Sequence, residues 1–350
     1  METTAIPASG LVRSLRNVAM ADRPVAGGKG ASLGELCRAG LPVPAGFVIT
    51  TEAFDRALRT AGLSSPADGD LANGGADIRA RIAAVPIPAE VERAVTWAYG
   101  ELGGGPVAVR SSASGEDAAD ASFAGLQDTY LYITGEQQVL EHVRRCWASL
   151  YNAEAVSYRL RQAVHDQPRL AAAMAVVVQR MVDPRCAGVM FSCSPTSGDR
   201  SVVAIEGSWG LGSVLVSGEV TPDSFMVSKV TGEVLRRTVS VKERLHRRDP
   251  AHSGTITAEV PQHLRAQPCL TDEQIRSLSS LAMQVERHYG RPQDIEWAVE
   301  DGAGTVMLLQ SRPETVWAAR QPAAPLAVPK ARPADHVFEQ LSRVRGLTWT

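Results

Sequence analysis

Short apolar runs bounded by glycine, proline, serine or charged residues recur along the chain, and this pattern is typical of buried strands. Apolar residues spaced three or four apart occur between these runs and predict helices. The predicted strands cover residues 107–109, 130–133, 173–179, 187–192, 201–205, 214–220 and 224–230. The predicted helices cover residues 31–37, 51–61, 89–102, 136–163 and 271–289.

The segment 107–130 combines a strand with chemistry that suits an anion. Its apolar strand ends at Arg110, and small and polar residues follow in 111–122. A guanidinium group offers a rigid fork of donors that matches phosphate oxygens, and backbone N–H groups in a turn add to that field. The segment therefore predicts a phosphate site, and the alternative is a surface loop with a solvated arginine.

A second candidate phosphate site lies near the N-terminus, where Gly27, Gly28 and Gly30 surround Lys29. A glycine turn that enters a helix can hold a phosphate between an ammonium group and backbone N–H groups. The spacing is not that of a Walker A loop, which needs G-x-x-x-x-G-K-[ST]. The alternative is a plain turn with an exposed lysine.

Residues 293–312 predict a β-hairpin around a Gly-Ala-Gly loop of three residues, 302–304. Residues that oppose each other in a hairpin share one face of the sheet. A loop of four residues would instead divide the polar residues between the two faces. With the shorter loop, the opposed pairs are Glu296 with Gln310 and Asp294 with Arg312.

This predicted patch holds two carboxylates, an amide oxygen and a guanidinium group. Glu296 and Gln310 supply oxygen ligands of the type that Mg²⁺ accepts, with room for water and phosphate oxygens. Arg312 could hold a phosphate beside the metal. The alternative is a structural salt bridge between Asp294 and Arg312 across the two strands.

Composition narrows the class of protein. The formal net charge is −2 at pH 7, which gives no electrostatic reason to expect nucleic acid or an anionic membrane as a partner. The longest apolar run, 170–178, is too short to span a bilayer. The 5 cysteines are scattered and are interpreted as reduced thiols of a cytoplasmic protein.

We expect the charged stretch 242–248 to be mobile, and the Ala/Pro-rich stretch 318–334 to be a semi-rigid linker.

Several motifs occur together in one order. They are VAGGKGASLGEL with LPVPAGFVIT, VAVRSSASGEDAADASFAGLQDTYL, VVVQRMV, AGVMFS, GLGSVLVSGEVTPDSF, QDIEW and LLQSRPET. Over residues 11–317 the chain resembles the ATP-binding domain of the phosphoenolpyruvate synthase and pyruvate phosphate dikinase family, which includes rifampin phosphotransferases and phenylphosphate synthases. The resemblance implies an α+β, ATP-grasp-like fold whose two lobes close on ATP and Mg²⁺.

The resemblance also implies domain boundaries and residue roles. An N-terminal lobe would cover 1–178, a C-terminal lobe with the hairpin 179–317, and a linker and tail 318–350. Lys29, Arg110 and Arg312 would bind phosphates and act in catalysis. The other implied nucleotide contacts are Gly125 and Thr129 in the lid loop, Gln179 at the adenine edge, and Asp294, Glu296 and Gln310 at the hairpin, with Glu296 and Gln310 as the metal ligands.

Two departures from the family pattern limit this expectation. The family usually has glutamate after the Gly-Leu-Gly motif, and this chain has Ser213. Whole members carry a catalytic histidine in a T-S-G-G-like loop, and none of the 7 histidines lies in such a loop. We therefore expect phosphoryl transfer to a histidine on a separate protein or on further C-terminal domains, and from there to a small-molecule acceptor. The alternatives are a fragment of a larger synthase, a self-sufficient ATP-grasp kinase or ligase making ADP, and a non-catalytic ATP sensor.

Overall fold

The computed structural model describes residues 10–63, 78–113, 128–152 and 173–317. The chain forms two compact units, Met1–Glu314 and Thr315–Thr350, and every element named next belongs to the first. The α-helices are α1 Arg23–Arg38, α2 Thr51–Thr60, α3 Ala89–Glu101, α4 Glu136–Ser149, α5 Ser213–Val216 and α6 Asp272–Tyr289. The strands are β1 Val12–Ser14, β2 Gly46–Ile49, β3 Val107–Ala113, β4 Thr129–Ile133, β5 Met174–Arg180, β6 Pro184–Phe191, β7 Val202–Trp209, β8 Asp223–Ser228, β9 Val234–Thr238, β10 Arg244–Arg248, β11 Thr255–Glu259, β12 Gln293–Glu300 and β13 Val306–Pro313.

The first sheet has the strand order β1-β2-β5-β3-β4, and all its pairs are antiparallel. One face packs against α2, α3 and α4, because Val109 and Val178 point into the same core as Phe54, Val95 and Trp147. The other face carries Arg110 and is covered in part by α1. A strand alternates its side chains between the two faces, so one sheet supports both a core and a polar site.

The second sheet has the strand order β13-β12-β6-β7-β8-β9. Its pairs are antiparallel, and α6 packs on one face through Ile275 and Leu278 against Ile205, Ile295 and Trp297. The opposite face, which carries Asp294, Glu296 and Gln310, is named here the cleft face. The helices and the antiparallel sheets together confirm the predicted α+β class.

Helix α1 connects the two sheets. Its Ala26 and Leu33 pack with Val48 and Val177 of the first sheet. Its Leu36 packs instead with the core of the second sheet. The helix that bears Lys29 is therefore fixed by both halves of the structure.

The prediction of a strand at 214–220 is wrong. Residues Ser213–Val216 form the short helix α5, in which the N–H of Leu215 donates to the carbonyl of Gly212 at 3.0 Å. A short apolar run does not distinguish a buried strand from a buried helical turn. Here the helix follows directly on the Gly-Leu-Gly turn, with Gly212 at its N-cap.

The prediction that 242–248 is mobile is also wrong. Strand β10 pairs with β11 in an antiparallel ribbon. Lys242 is fully buried, and its Nζ lies 2.5 Å from Oδ1 of Asp223, which is equally buried. The ammonium group also donates to the carbonyl of Ser240 at 2.7 Å. A buried charge is tolerated when it is paired and hydrogen-bonded in this way.

The predicted helices at 51–61, 89–102 and 271–289 are confirmed as α2, α3 and α6. Thr271 caps α6 as expected, since its hydroxyl accepts from the N–H of Gln274 at 3.3 Å. Within the described ranges, no helix is long and apolar enough to cross a bilayer. The predicted lid residue Gly125 and the stretch 318–334 lie outside the described residues.

Candidate functional site

Arg110 connects the two sheets at the centre of the site. Its Nη1 donates to the carbonyl of Leu309 at 2.6 Å, and its Nη2 donates to Oε1 of Gln310 at 2.5 Å. Nη2 also lies 3.3 Å from Oε2 of Glu296. The side chain of Arg110 is only 8% exposed, whereas that of Glu296 is 41% exposed. The structure thus brings together three of the residues predicted for phosphate and metal binding.

The hairpin register confirms the predicted pairs but not the predicted loop. Glu296 is opposite Gln310, and Asp294 is opposite Arg312. However, Glu300 donates its N–H to the carbonyl of Thr305, so the loop has four residues, 301–304.

A β-bulge between Glu296 and Trp297 reconciles the two observations. Trp297 pairs with Leu308, so Leu309 is an extra residue on β13. Such a bulge shifts the register by one residue and re-aims the side chains beyond it. The carbonyl of Leu309 is the one that accepts from Arg110. The bulge therefore places Glu296 and Gln310 on the cleft face and contributes a binding atom for Arg110.

Asp294 and Arg312 form the cross-strand salt bridge that the sequence left as an alternative. Both Nε and Nη2 of Arg312 lie 2.8 Å from Oδ2 of Asp294. Burial raises the pKa of the Asp294 carboxyl, although the adjacent Arg312 acts in the opposite direction. The guanidinium is 42% exposed and can also face a ligand. A structural role and a phosphate role are compatible for this arginine.

Lys29 lies inside a helix, whereas the sequence predicted a glycine turn before a helix at 31–37. Helix α1 already begins at Arg23, with a kink at Gly27, where φ is 70°. A Cβ atom at Gly27 would lie 2.1 Å from the carbonyl oxygen of Ser112. Ser112 also accepts from the N–H of Gly30 at 3.1 Å and donates to the carbonyl of Ala26 at 2.9 Å. These contacts press α1 against β3 where Arg110 is located.

The same helix contacts the hairpin. Ser32 donates to the carbonyl of Ser311 at 2.6 Å, which joins α1 to β13. Lys29 is only 7% exposed. It is therefore carried by a helix that touches both the strand of Arg110 and the strand of Gln310.

Gln179 and Thr129 belong to the same sheet as Arg110. Gln179 is 2% exposed, and its Nε2 donates to the carbonyl of Pro44 at 3.2 Å. It shares the Arg110 face, because Arg110 is opposite Val177 and alternate residues of a strand share a face. Thr129 is exposed and directly opposite Arg110 in β4.

The donor set fits a phosphate ligand and a metal with few protein ligands. Nε of Arg110 is buried and has no hydrogen-bond partner among the described residues. Over the described part of the chain, no three His, Cys, Asp or Glu side chains are grouped to hold a metal ion. Glu296 and Gln310 could still hold one, because Mg²⁺ is commonly bound by one or two carboxylates together with waters and phosphate oxygens.

Comparison with known proteins identifies the family. Residues 23–331 match the family described as "Pyruvate phosphate dikinase, AMP/ATP-binding domain". The chain belongs to this family. ATP binding by the domain follows from this membership, and three of the residues predicted to bind ATP, Arg110, Glu296 and Gln310, contact one another between the two sheets.

Two curated relatives of this dikinase-family domain are clearly similar. A probable phosphoenolpyruvate synthase of Methanothermobacter thermautotrophicus is 42% identical over 311 residues, which cover 84% of this chain and 44% of that protein. A rifampicin phosphotransferase of a Streptomyces species is 44% identical over 321 residues, which cover 87% of this chain and 36% of that protein. This chain thus spans less than half the length of either relative.

A solved structure offers a weaker similarity. The D-alanyl-alanine synthetase A of Vibrio cholerae is 13% identical, with a TM-score of 0.27, and the match covers 65% of this chain and 47% of that chain. Similarity at this level assigns no fold, so the fold is defined by the strand order described above.

Ser213, where the dikinase-family resemblance leads us to expect glutamate, makes a polar contact of its own. Its hydroxyl lies 2.8 Å from Nδ1 of His246 in β10. Nε2 of the same imidazole lies 3.3 Å from Oε1 of Glu219. Ser213 therefore connects the Gly-Leu-Gly turn of this family to the β10-β11 ribbon.

Tyr132 is a site-adjacent residue that the sequence did not reveal. Its φ of 56° is positive, which is uncommon for a residue other than glycine. The phenol donates to Oδ1 of Asp183 at 2.8 Å, and the guanidinium of Arg248 lies 5.9 Å from the ring centroid. Because Asp183 lies in the connection between β5 and β6, Tyr132 fastens the first sheet to the point where the chain enters the second. An irregularity in the β3-β4 register causes this geometry, and the sequence gives no signal of it.

Proposed function

We propose that this chain is the ATP-binding component of a dikinase-type phosphotransferase, a reaction that needs ATP and Mg²⁺. ATP is cleaved on this chain, and phosphoryl passes to a histidine on a separate protein or on further domains, and from there to a small molecule. The observation that carries the proposal is the contact of Arg110 with both Glu296 and Gln310. A guanidinium of the first sheet thus contacts a carboxylate and an amide oxygen of the second, which supports roles for these groups in phosphate and metal binding. Family membership and the names of the relatives support the same conclusion.

In this reaction the residues of the chain position the phosphates of ATP and neutralise their charge, and none of them needs to act as a nucleophile. Lys29, Arg110 and Arg312 hold phosphate oxygens, and preorganised donors of this kind stabilise the charge that develops during phosphoryl transfer. Glu296 and Gln310 are the residues that would hold Mg²⁺, which when bound neutralises phosphate charge. The buried Nε of Arg110, which has no partner within the part of the chain that the structure describes, supports an additional acceptor at this position.

In this proposal, residues from both sheets contact the nucleotide and fix its orientation. The lobes, 1–178 and 179–317, close on the nucleotide as in an ATP-grasp-like fold. Gln179 lies at the adenine edge, and Thr129 with Gly125 belongs to the loop over the phosphates. The position of Thr129 opposite Arg110 supports this role. The 318–350 segment is the linker and tail of this proposal.

The test is to incubate the purified chain with ATP and Mg²⁺ and to follow ATP, ADP and AMP over time, with binding measured by calorimetry in parallel. Tight binding with little turnover is expected for a component that needs its histidine partner. Steady ADP formation would contradict the proposal and indicate a direct kinase or ligase. Failure to bind ATP at all would contradict it as well.

A further inference from the structure

Glu206 lies on the cleft face, in line with the proposed metal ligands. In the strand registers Gln310 is opposite Glu296, Glu296 is opposite Val189, and Val189 is opposite Glu206. Opposed residues share a face, so the carboxylate of Glu206 is on the same side of the sheet as Glu296. Neighbouring strands are about 4.8 Å apart, which places the Glu206 backbone roughly 10 Å from that of Glu296.

The carboxylate of Glu206 has no hydrogen bond or ion pair within the described residues, although the side chain is partly buried. Burial raises the pKa of this carboxyl, and no neighbouring charge opposes the effect. Removing a charged group from water without giving it a partner is unfavourable. Every other acidic residue named above as part of the site has a protein partner. Because the side chain is only partly buried, its carboxylate remains accessible on the cleft face and can accept hydrogen bonds from a ligand.

The surface beside Glu206 indicates which part of a nucleotide would reach it. Val182, Ala187 and Ala298 form a small apolar cluster with Met307 and Leu309. Val182 lies in the connection between the sheets, close to the end of the strand that carries Gln179. A purine ring suits this apolar surface, and the phosphates suit Arg110, which contacts Glu296 and Gln310 on the same face.

We propose that Glu206 binds the ribose of the nucleotide by accepting hydrogen bonds from its 2′ and 3′ hydroxyl groups. This inference rests on the proposed function. An ionised carboxylate only accepts hydrogen bonds, so it matches the two adjacent hydroxyl donors of ribose and repels the phosphates. Glu206 lies two strands away from the metal ligand Glu296. This distance suits the sugar, because in ATP the phosphate chain lies between the ribose and the phosphate that reacts.

The experiment compares the binding of ATP, 2′-deoxy-ATP and 3′-deoxy-ATP to the wild-type chain and to Glu206→Ala and Glu206→Gln. The wild type should bind ATP more tightly than one or both deoxy analogues. Glu206→Ala should weaken ATP binding about 10- to 100-fold, the range for hydrogen bonds to a charged group. The same variant should bind ATP and the deoxy analogues alike, because the partner of the hydroxyl groups is gone. Glu300→Gln, at the far end of β12, is the matched control and should retain the discrimination.

Stability provides a second readout that a structural role would not produce. Because the carboxylate is partly buried and no described residue pairs with it, Glu206→Gln should raise the melting temperature of the nucleotide-free chain at neutral pH while it weakens ATP binding. Wild-type discrimination that survives in Glu206→Ala would overturn the inference. So would a wild type that binds the three nucleotides equally, and that result would leave the proposed function intact. A wild type that binds none of them would contradict the proposed function itself.

Discussion

Nη2 of Arg110 lies 2.5 Å from Oε1 of Gln310, although 200 residues separate the two in the chain. This contact joins the first sheet to the second. It also makes the arginine a shared element of the proposed phosphate and metal sites, because the same nitrogen approaches Glu296. A change at Arg110 should therefore affect nucleotide binding and the relation of the two sheets together.

Arg110→Lys should weaken ATP binding by roughly 10- to 100-fold, because an ammonium group keeps the charge but loses the planar fork that reaches Leu309 and Gln310 together. Arg110→Ala should abolish ATP cleavage in the assembled system while the fold survives. Calorimetric titration with ATP and Mg²⁺ measures the first effect and product analysis the second. Arg145→Lys, on the exposed side of α4, should leave both unchanged. Normal turnover by Arg110→Ala would refute the assignment.

The hairpin shows how far a sequence can predict such a site. The residue pairs Glu296–Gln310 and Asp294–Arg312 are predictable, because polar and apolar residues alternate along both strands of the hairpin. The loop length and the bulge at Leu309 are not predictable. The extra loop residue shifts the register by one position and the bulge shifts it back, so the sequence pattern near Glu296 is the same with both as with neither. The correct pairs were therefore predicted from an incorrect loop.

The partners of buried polar groups are also difficult to predict from the sequence. Lys242 belongs to a charged stretch, yet it is fully buried against Asp223. The partner, 19 residues away, is brought close only when β8 and the segment before β10 pack together. Glu206 is hidden for the opposite reason, since an isolated glutamate in an apolar strand has no distinguishing pattern. Residues with motifs around them can be proposed from the sequence, whereas residues whose surroundings are set by tertiary packing alone cannot.

Glu296→Gln should weaken ATP binding that depends on Mg²⁺, because a neutral amide is a poorer ligand for a hard cation than a carboxylate. The measurement is a series of ATP titrations at increasing Mg²⁺ concentrations, and the variant should need more Mg²⁺ to reach the affinity of the wild type. Glu300→Gln changes the same group at the end of the same strand and should follow the wild type. An unchanged Mg²⁺ dependence in Glu296→Gln would count against the proposed metal site.

Gly27→Ala should destabilise the fold far more than Gly40→Ala. Both glycines have positive φ, at 70° and 72°, so alanine is strained at either position. A Cβ atom at Gly40 meets nothing within 4 Å, whereas at Gly27 it would lie 2.1 Å from a backbone oxygen. We expect a loss of about 1–2 kcal/mol for Gly40→Ala and about 2–5 kcal/mol for Gly27→Ala in the free energy of unfolding. Urea denaturation of both variants checks this, and equal losses would show that the contact of α1 with Ser112 is not as close as described.

Glu35 of α1 should stabilise the fold in a pH-dependent way. Its carboxylate accepts from the N–H of Met20 at 3.0 Å and lies 2.9 Å from Nε2 of His288 in α6. The Met20 N–H foremost, then His288 and Arg38, hold the pKa of Glu35 below its ordinary value of 4.5, although burial acts in the opposite direction. The ionised form is thus favoured in the folded chain, so its stabilisation is present above pH 4.5 and is lost as the pH falls through the lowered pKa. Melting temperatures of the wild type and Glu35→Gln, measured from pH 7 downwards, should converge in acid, while Glu101→Gln at the exposed end of α3 should match the wild type throughout. A difference that stayed constant with pH would show that Glu35 acts by packing and not by charge.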